Sequence, residues 1–247
     1  MPARVAPPPV RLVLVGPRNP ENVGAVARAM KNFGAGDWAL VAAATHDFAR
    51  ARRVAVHAED LLDRPRLFPT LAEAVADCAW VVGTSPRRVR GRPRLSPAEV
   101  AREALRRAPD RTAIVFGEER SGLGNEEVLR CHALSAIPTD PGQPSLNLAQ
   151  AVLVYLFALR EAALAAGPPR ALPRAAAATD AELARVEEAL REALRAGGFL
   201  AGPERHAVRD LADTLRRAGL SRRESRLWEA ALRRLGRALA GREAHGG

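Results

Sequence analysis

The 247-residue chain has only two cysteines, Cys78 and Cys131. They are far apart and match no metal-ligand or redox spacing, which argues against a disulfide framework or a thiolate metal centre; both read as small buried apolar residues. No metal is expected. Long apolar runs are also missing. The longest, around Ala149 to Leu159, falls short of the roughly 20 residues that cross a membrane, so no membrane segment is expected. The opening MPARVAPPPV has prolines where a signal peptide needs an unbroken apolar stretch, which predicts a cytoplasmic protein. Nucleotide fingerprints are absent as well. No G-x-G-x-x-G follows the first strand, so a dinucleotide site lacks its signature. Gly117 and Gly122 have P-loop spacing, but Leu123 and Gly124 stand where Lys-Ser/Thr is required, which excludes a Walker motif.

What is abundant is positive charge. The formal net charge is +10, and of 38 basic residues only Lys31 is a lysine. A polyanionic partner follows, and arginine forms planar bidentate contacts with phosphate that lysine cannot. Along residues 1 to 165, short β-branched runs alternate with helical stretches, predicting a mostly parallel sheet covered by helices. The expected strands are Val10 to Val15, Trp38 to Ala42, Ala79 to Val82, Ala113 to Phe116 and Leu134 to Ile137. Loops rich in Gly, Pro, Ser or Asn follow them, at strand ends where open α/β sheets bind ligands. The Pro- and Ala-rich residues 166 to 178 read as a linker. Residues 179 to 247 read as a basic helical extension: a helix capped by Thr179 and stopped at Gly197-Gly198, then two more, about Pro203 to Ala218 and Ser221 to Ala240. Residues 1 to 165 carry 22 basic and 17 acidic groups and residues 166 to 247 carry 16 and 11, so each part has net +5 and the smaller one is the more densely basic.

Three stretches carry candidate chemistry. In the first, Gly16 to Gly34, Asn19 caps a helix with Pro20 at its first position. Val23, Val26, Ala27, Met30 and Phe33 form its buried stripe, and Gly24, Arg28 and Lys31 share the opposite face, the glycine leaving room for a bulky ligand beside the guanidinium. In the second, Ile114 to Asn125, a strand runs into a glycine-rich turn with Glu119 at its mouth; Glu118 is the rival acid. In the third, Ile137 to Glu161, a polar turn precedes an apolar helix, with Ser145 as its expected N-cap, Leu146, Ala149, Val152 and Leu153 as its core stripe, and Asn147 free to bond a ligand or a loop.

In this order the stretches resemble the three signature motifs of the SpoU, or TrmH-type, family of SPOUT RNA methyltransferases. They match as Asn22-x-Gly24-x-x-x-Arg28 with Phe33-Gly34, then Gly117-x-Glu119-x-x-Gly122-Leu123, then Ile137-Pro138 with Ser145-Leu146-Asn147 and Ala151. Within the family the opening stretch and helical C-terminus look most like the TrmJ type, which acts on the tRNA anticodon loop. The resemblance implies an α/β fold, a mostly parallel sheet flanked by helices with a C-terminal trefoil knot, plus the small helical extension. It implies a homodimer whose active site is completed across the interface, and transfer of a methyl group from S-adenosylmethionine to a ribose 2'-hydroxyl of tRNA. The cofactor loops it implies are Thr84-Ser85-Pro86, Gly117, Ile137-Pro138 and Pro144-Ser145-Leu146, binding largely through backbone groups. Arg28 is implied as the catalytic arginine, with Asn22, Glu119 and Asn147 orienting it and the ribose. The loop from Pro86 to Arg94, with Arg87, Arg88, Arg90, Arg92 and Arg94, is expected to contact the tRNA backbone. A ribosomal RNA methyltransferase of the same family and a non-catalytic RNA-binding protein on the same scaffold are the alternatives.

Overall fold

A computed structural model describes residues 8–43, 48–63, 65–166, 175–200 and 207–243. The chain divides into two compact units, Met1–Leu172 and Pro173–Gly247.

The first unit is built on a seven-stranded sheet in the order β3-β2-β1-β6-β4-β7-β5, every pair parallel. The strands are β1 (Val10–Val15), β2 (Trp38–Val41), β3 (Arg66–Phe68), β4 (Trp80–Thr84), β5 (Arg94–Leu95), β6 (Thr112–Phe116) and β7 (Ala133–Ser135). Five match the expected strands. The two additional ones, β3 and β5, are edge strands of three and two residues that include arginines, too short for any alternation to register in sequence. Side chains alternate across the sheet. Leu12, Leu14, Trp38, Leu40, Val82, Ile114 and Phe116 pack on one face with the helices α1 (Pro20–Phe33), α5 (Pro97–Arg107) and α7 (Leu148–Ala166). Val13, Ala39, Val41, Val81, Ala113 and Val115 face the other layer, with α4 (Leu71–Ala74) and α6 (Asn125–Arg130). Both cysteines are buried and form no disulfide. Arg11 breaks the apolar pattern of β1: fully buried, it is bonded to Asp37 (2.9 Å), Asp77 (2.5 Å) and the Ala74 carbonyl (2.8 Å). Burial works against its charge, but the two carboxylates outweigh it and raise its pKa.

Helix α1 forms as its caps dictate. The Asn19 side chain accepts from the Glu21 amide at 2.9 Å, Pro20 opens the first turn, and Gly34 closes the helix at φ 73°. Val23, Val26, Ala27 and Met30 are buried with Phe33 packed against them, as their spacing predicts. Helix α7 differs from expectation. Its cap is Asn147, not Ser145, with Oδ1 accepting from the amides of Ala149 (2.9 Å) and Gln150 (3.4 Å). The buried stripe is Leu148, Val152, Tyr155, Leu156, Leu159 and Ala163, while Leu146 and Leu153 are 40% and 42% exposed. The later start leaves Leu146 outside the helix. At 19 residues α7 is long and apolar enough by composition to cross a membrane, yet it spends one face on the core.

In the second unit, α8 (Asp180–Ala196) begins at a Thr179–Glu182 capping box and ends at Gly197. It packs with α9 (Ala207–Ala218) and α10 (Arg222–Glu243) through Val186, Ala189, Ala193 and Leu232, and Arg216 is bonded to the buried Asp180 at 2.9 Å. Ala177 pairs with Ser221, and the Ala178 amide donates to Leu220, so the final residues read as linker are tied to the start of α10. Residues 167–174, its middle, and 201–206, where the second helix of the extension was expected to start, lie outside the described residues.

Candidate active site

Strands β1, β6 and β7 end on the three stretches singled out in sequence, and the fold brings one residue of each into a continuous hydrogen-bonded network. Asn22 Nδ2 donates to Glu119 Oε1 at 3.0 Å, and Asn147 Nδ2 donates to Asn22 Oδ1 at 2.9 Å. Glu119 also accepts from the backbone amides of Arg18 and Asn19, both at 3.2 Å. These amides lie at the α1 N-terminus, where the helix dipole favours a negative charge. Burial alone would lift the Glu119 pKa; the Asn22 bond, followed by the backbone amides, outweighs it and holds the carboxyl below its ordinary range. Glu119 is therefore an ionised clamp. Its neighbour Glu118 is turned elsewhere, pairing with Arg18 (2.9 Å) and accepting from Ser121 Oγ (2.5 Å), so Glu119 is the acid that meets the asparagines.

The turn carrying Glu119 is tightly folded. A Cβ at Gly117 would overlap the backbone of Gly122 and Leu123, which explains two glycines at that spacing by close chain approach. Next to it, Thr84 Oγ1 donates to the Val115 carbonyl (3.0 Å), the Ser85 amide donates to the Ser135 carbonyl (2.8 Å), and Ser85 is buried. The ends of the neighbouring strands β6, β4 and β7 are thereby joined, placing Thr84-Ser85-Pro86, Gly117 and the chain leading to Ile137-Pro138 side by side. Beyond them, Thr139 Oγ1 donates to the Pro144 carbonyl at 3.1 Å, and Pro144, Ser145 and Leu146 are exposed. One buried link was not legible in sequence: Tyr155 OH donates to Ser135 Oγ (2.7 Å), which donates to the Leu95 carbonyl (2.8 Å), pinning α7 to β7 and β5.

Arg28 is exposed, and among the described residues it makes no hydrogen bond or ion pair. It lies six residues beyond Asn22, about 9 Å along the helix axis at 1.5 Å per residue, and touches none of Asn22, Glu119 and Asn147. Among the described residues those three bind each other, and none is bonded to Arg28. The open face expected around Arg28 is also corrected. Gly24 is buried, and a Cβ there would run into the backbone of Ala51 in α2 (Phe48–Val54), so this glycine serves helix packing. Lys31 pairs with Asp60 at 2.7 Å. In the arginine loop, Arg88, Arg90 and Arg94 are exposed, with Arg94 in β5. Arg92 is buried and donates to the Leu129 carbonyl at 2.7 Å, and Arg87, also exposed, hydrogen-bonds residues 123–125.

A parallel sheet with these three motifs meeting at its strand ends defines a class. The chain belongs to the SpoU rRNA Methylase family, whose model matches residues 9–157. It is 44% identical over 160 residues to tRNA (cytidine/uridine/adenosine-2'-O-)-methyltransferase TrmJ of Pseudomonas aeruginosa (strain UCBPP-PA14), covering 64% of this chain and 62% of that protein. It is 41% identical over 158 residues to tRNA (cytidine/uridine-2'-O-)-methyltransferase TrmJ of Escherichia coli (strain K12), covering 63% and 64%. The chain thus spans less than two thirds of the length of these relatives. Among solved structures, TrmJ from Z. mobilis ZM4 matches with a TM-score of 0.79 at 31% identity, over 91% of this chain and 98% of that one.

Proposed function

We propose that this chain transfers the methyl group of S-adenosylmethionine to a ribose 2'-hydroxyl of tRNA, in the anticodon loop, as a cytoplasmic homodimer. The observation that carries the reading is the Asn22–Glu119–Asn147 network: the three motifs, each unremarkable alone, converge in space as a ribose methylase of this family requires. The TrmJ relatives are tRNA 2'-O-methyltransferases, which supports tRNA as substrate.

The joined loops suit the cofactor. Thr84, Ser85, Pro86, Gly117, Ile137, Pro138, Pro144, Ser145 and Leu146 offer backbone groups and modest apolar surface. When bound, S-adenosylmethionine supplies an electrophilic methyl group on its sulfonium. The protein's task is then to position the ribose oxygen in line with it. A guanidinium is a poor general base; the role of Arg28 is to grip the neighbouring RNA phosphate and stabilise the developing alkoxide, with the proton passing to phosphate or water. Asn22, Glu119 and Asn147 hold the loops that frame the ribose.

Family membership implies a trefoil knot closed by β7 and α7. The position of β7 between β4 and β5, the two ends of the 85–93 loop, supports it. A dimer is supported by the outer face of α7, where Leu153, Phe157 and Leu164 are 42%, 54% and 49% exposed, an apolar stripe suited to a second copy. The exposed Arg88, Arg90 and Arg94 serve as the loop's phosphate contacts, and the basic extension of residues 179–247 as an arm for tRNA. Incubating bulk tRNA with the protein and labelled S-adenosylmethionine, then mapping alkali-resistant dinucleotides, tests the reading. Methyl groups found only on bases would sink it.

A further inference from the structure

Arg87 stands in the run of arginines that sequence assigns to RNA and is exposed like Arg88 and Arg90, but its guanidinium is bonded to protein groups. Nη1 donates to Asn125 Oδ1 at 2.7 Å, and Nη2 donates to the carbonyls of Leu123 and of Gly124, the latter at 3.1 Å. The Arg87 amide meanwhile donates to Ser85 Oγ at 3.3 Å, and Ser85 is held to Ser135. The guanidinium therefore fastens the loop after β4 to the far side of the Glu119 turn. That turn is already fixed on its near side by the close approach of Gly117 to Gly122, and Leu123 is buried against the end of β4, where a Cβ at Gly83 would lie 3.0 Å from Leu123 Cδ1.

We infer that Arg87 is a positioning residue for the cofactor loops and not a phosphate contact. A planar fork spreads its donors over a side-chain carbonyl and two backbone carbonyls at fixed angles, whereas a lysine ammonium is a point charge on a single stem. Three of its five N–H donors are already committed to protein acceptors. This inference rests on the proposal that the loops after β4 and β6 hold S-adenosylmethionine.

The test uses the full chain and three variants, Arg87→Ala, Arg87→Lys and Asn125→Ala. Calorimetry measures S-adenosylhomocysteine binding, and filter binding without cofactor measures tRNA affinity across a salt series. Arg87→Ala and Arg87→Lys should each lose about tenfold or more in S-adenosylhomocysteine affinity, lysine giving no rescue. Under turnover, the KM for S-adenosylmethionine should rise more than kcat falls. The slope of log tRNA affinity against log salt should match the parent. Asn125→Ala, which removes one acceptor from outside the loop, should show a smaller loss in the same direction, and it decides the matter if an Arg87 variant does not fold. Unchanged cofactor affinity in all three, or a salt slope shallower by about 0.7 to 0.9, the value of one lost phosphate contact, with cofactor binding intact, would overturn the inference. A parent protein that binds no S-adenosylhomocysteine would instead overturn the cofactor reading itself.

Discussion

Replacing Gly24 with alanine separates two explanations of the same glycine. If it keeps space for a ligand beside Arg28, a methyl group there leaves the fold intact and obstructs RNA. In the structure the added Cβ would lie 2.9 Å from the carbonyl carbon and 3.1 Å from Cα of Ala51, with the carbonyl oxygen nearer still. Carbon atoms prefer about 3.5 to 4.0 Å, so α1 and α2 must part by roughly 1 Å. No side-chain rotation relieves the clash, because the obstacle is backbone. Alanine's better helix propensity returns about 1 kcal/mol, against which overpacking typically costs 1 to 3 kcal/mol and more where backbone must move. A net loss of roughly 1 to 2 kcal/mol is expected, a fall in Tm on the order of 5 °C for a protein of this size. Thermal and urea denaturation of parent and variant check it. An unchanged urea midpoint together with weakened tRNA binding would refute the packing argument and restore the ligand-space reading.

Arg28→Ala should abolish turnover while S-adenosylhomocysteine binding by calorimetry stays near the parent value, since Arg28 touches none of the cofactor loops; a large loss of cofactor affinity would contradict its assignment. Glu119→Gln replaces a carboxylate that accepts three hydrogen bonds with an amide whose NH2 faces donors, and should cost roughly 1 kcal/mol after allowance for its partial exposure. The Glu119 pKa is depressed in the folded state, so its contribution is complete above the unfolded carboxylate pKa of about 4.3 and is lost as pH falls through the lower folded value. Urea midpoints should accordingly separate parent from variant at pH 7 and converge in strong acid; a constant gap across that range would exclude the ionised clamp. Ending the chain at Leu172 should weaken tRNA binding and flatten its salt dependence while leaving cofactor binding unchanged. Loss of dimerisation with an unflattened slope would assign the extension a packing role.

Local rules carried much of the fold. Alternation in VRLVLV announces β1, Asn19-Pro20 starts α1 and Gly34 ends it, and Thr179 with Glu182 starts α8, because each signal lies within a few residues of its effect. The family's motif residues were legible too, as spacings. What those residues do was not. Asn22 meets Glu119 across 97 residues and Asn147 across 125, and no local pattern ranks one pairing above another. Gly24 and Arg87 each read in sequence as open to a ligand, and tertiary contacts engage both, Gly24 packed against the Ala51 carbonyl and Arg87 bonded to residues 123–125. Ser145 was displaced as cap by Asn147, whose side chain bonds both the first turn of α7 and Asn22. Periodicity and caps are set by neighbours along the chain, so sequence determined the five longer strands and the face and ends of α1, but not the short edge strands β3 and β5 or the buried stripe of α7. Whether a polar group spends its hydrogen bonds on solvent, on ligand or on a distant carbonyl depends on which strand ends the sheet order β6-β4-β7 brings together, and only the tertiary structure decided that.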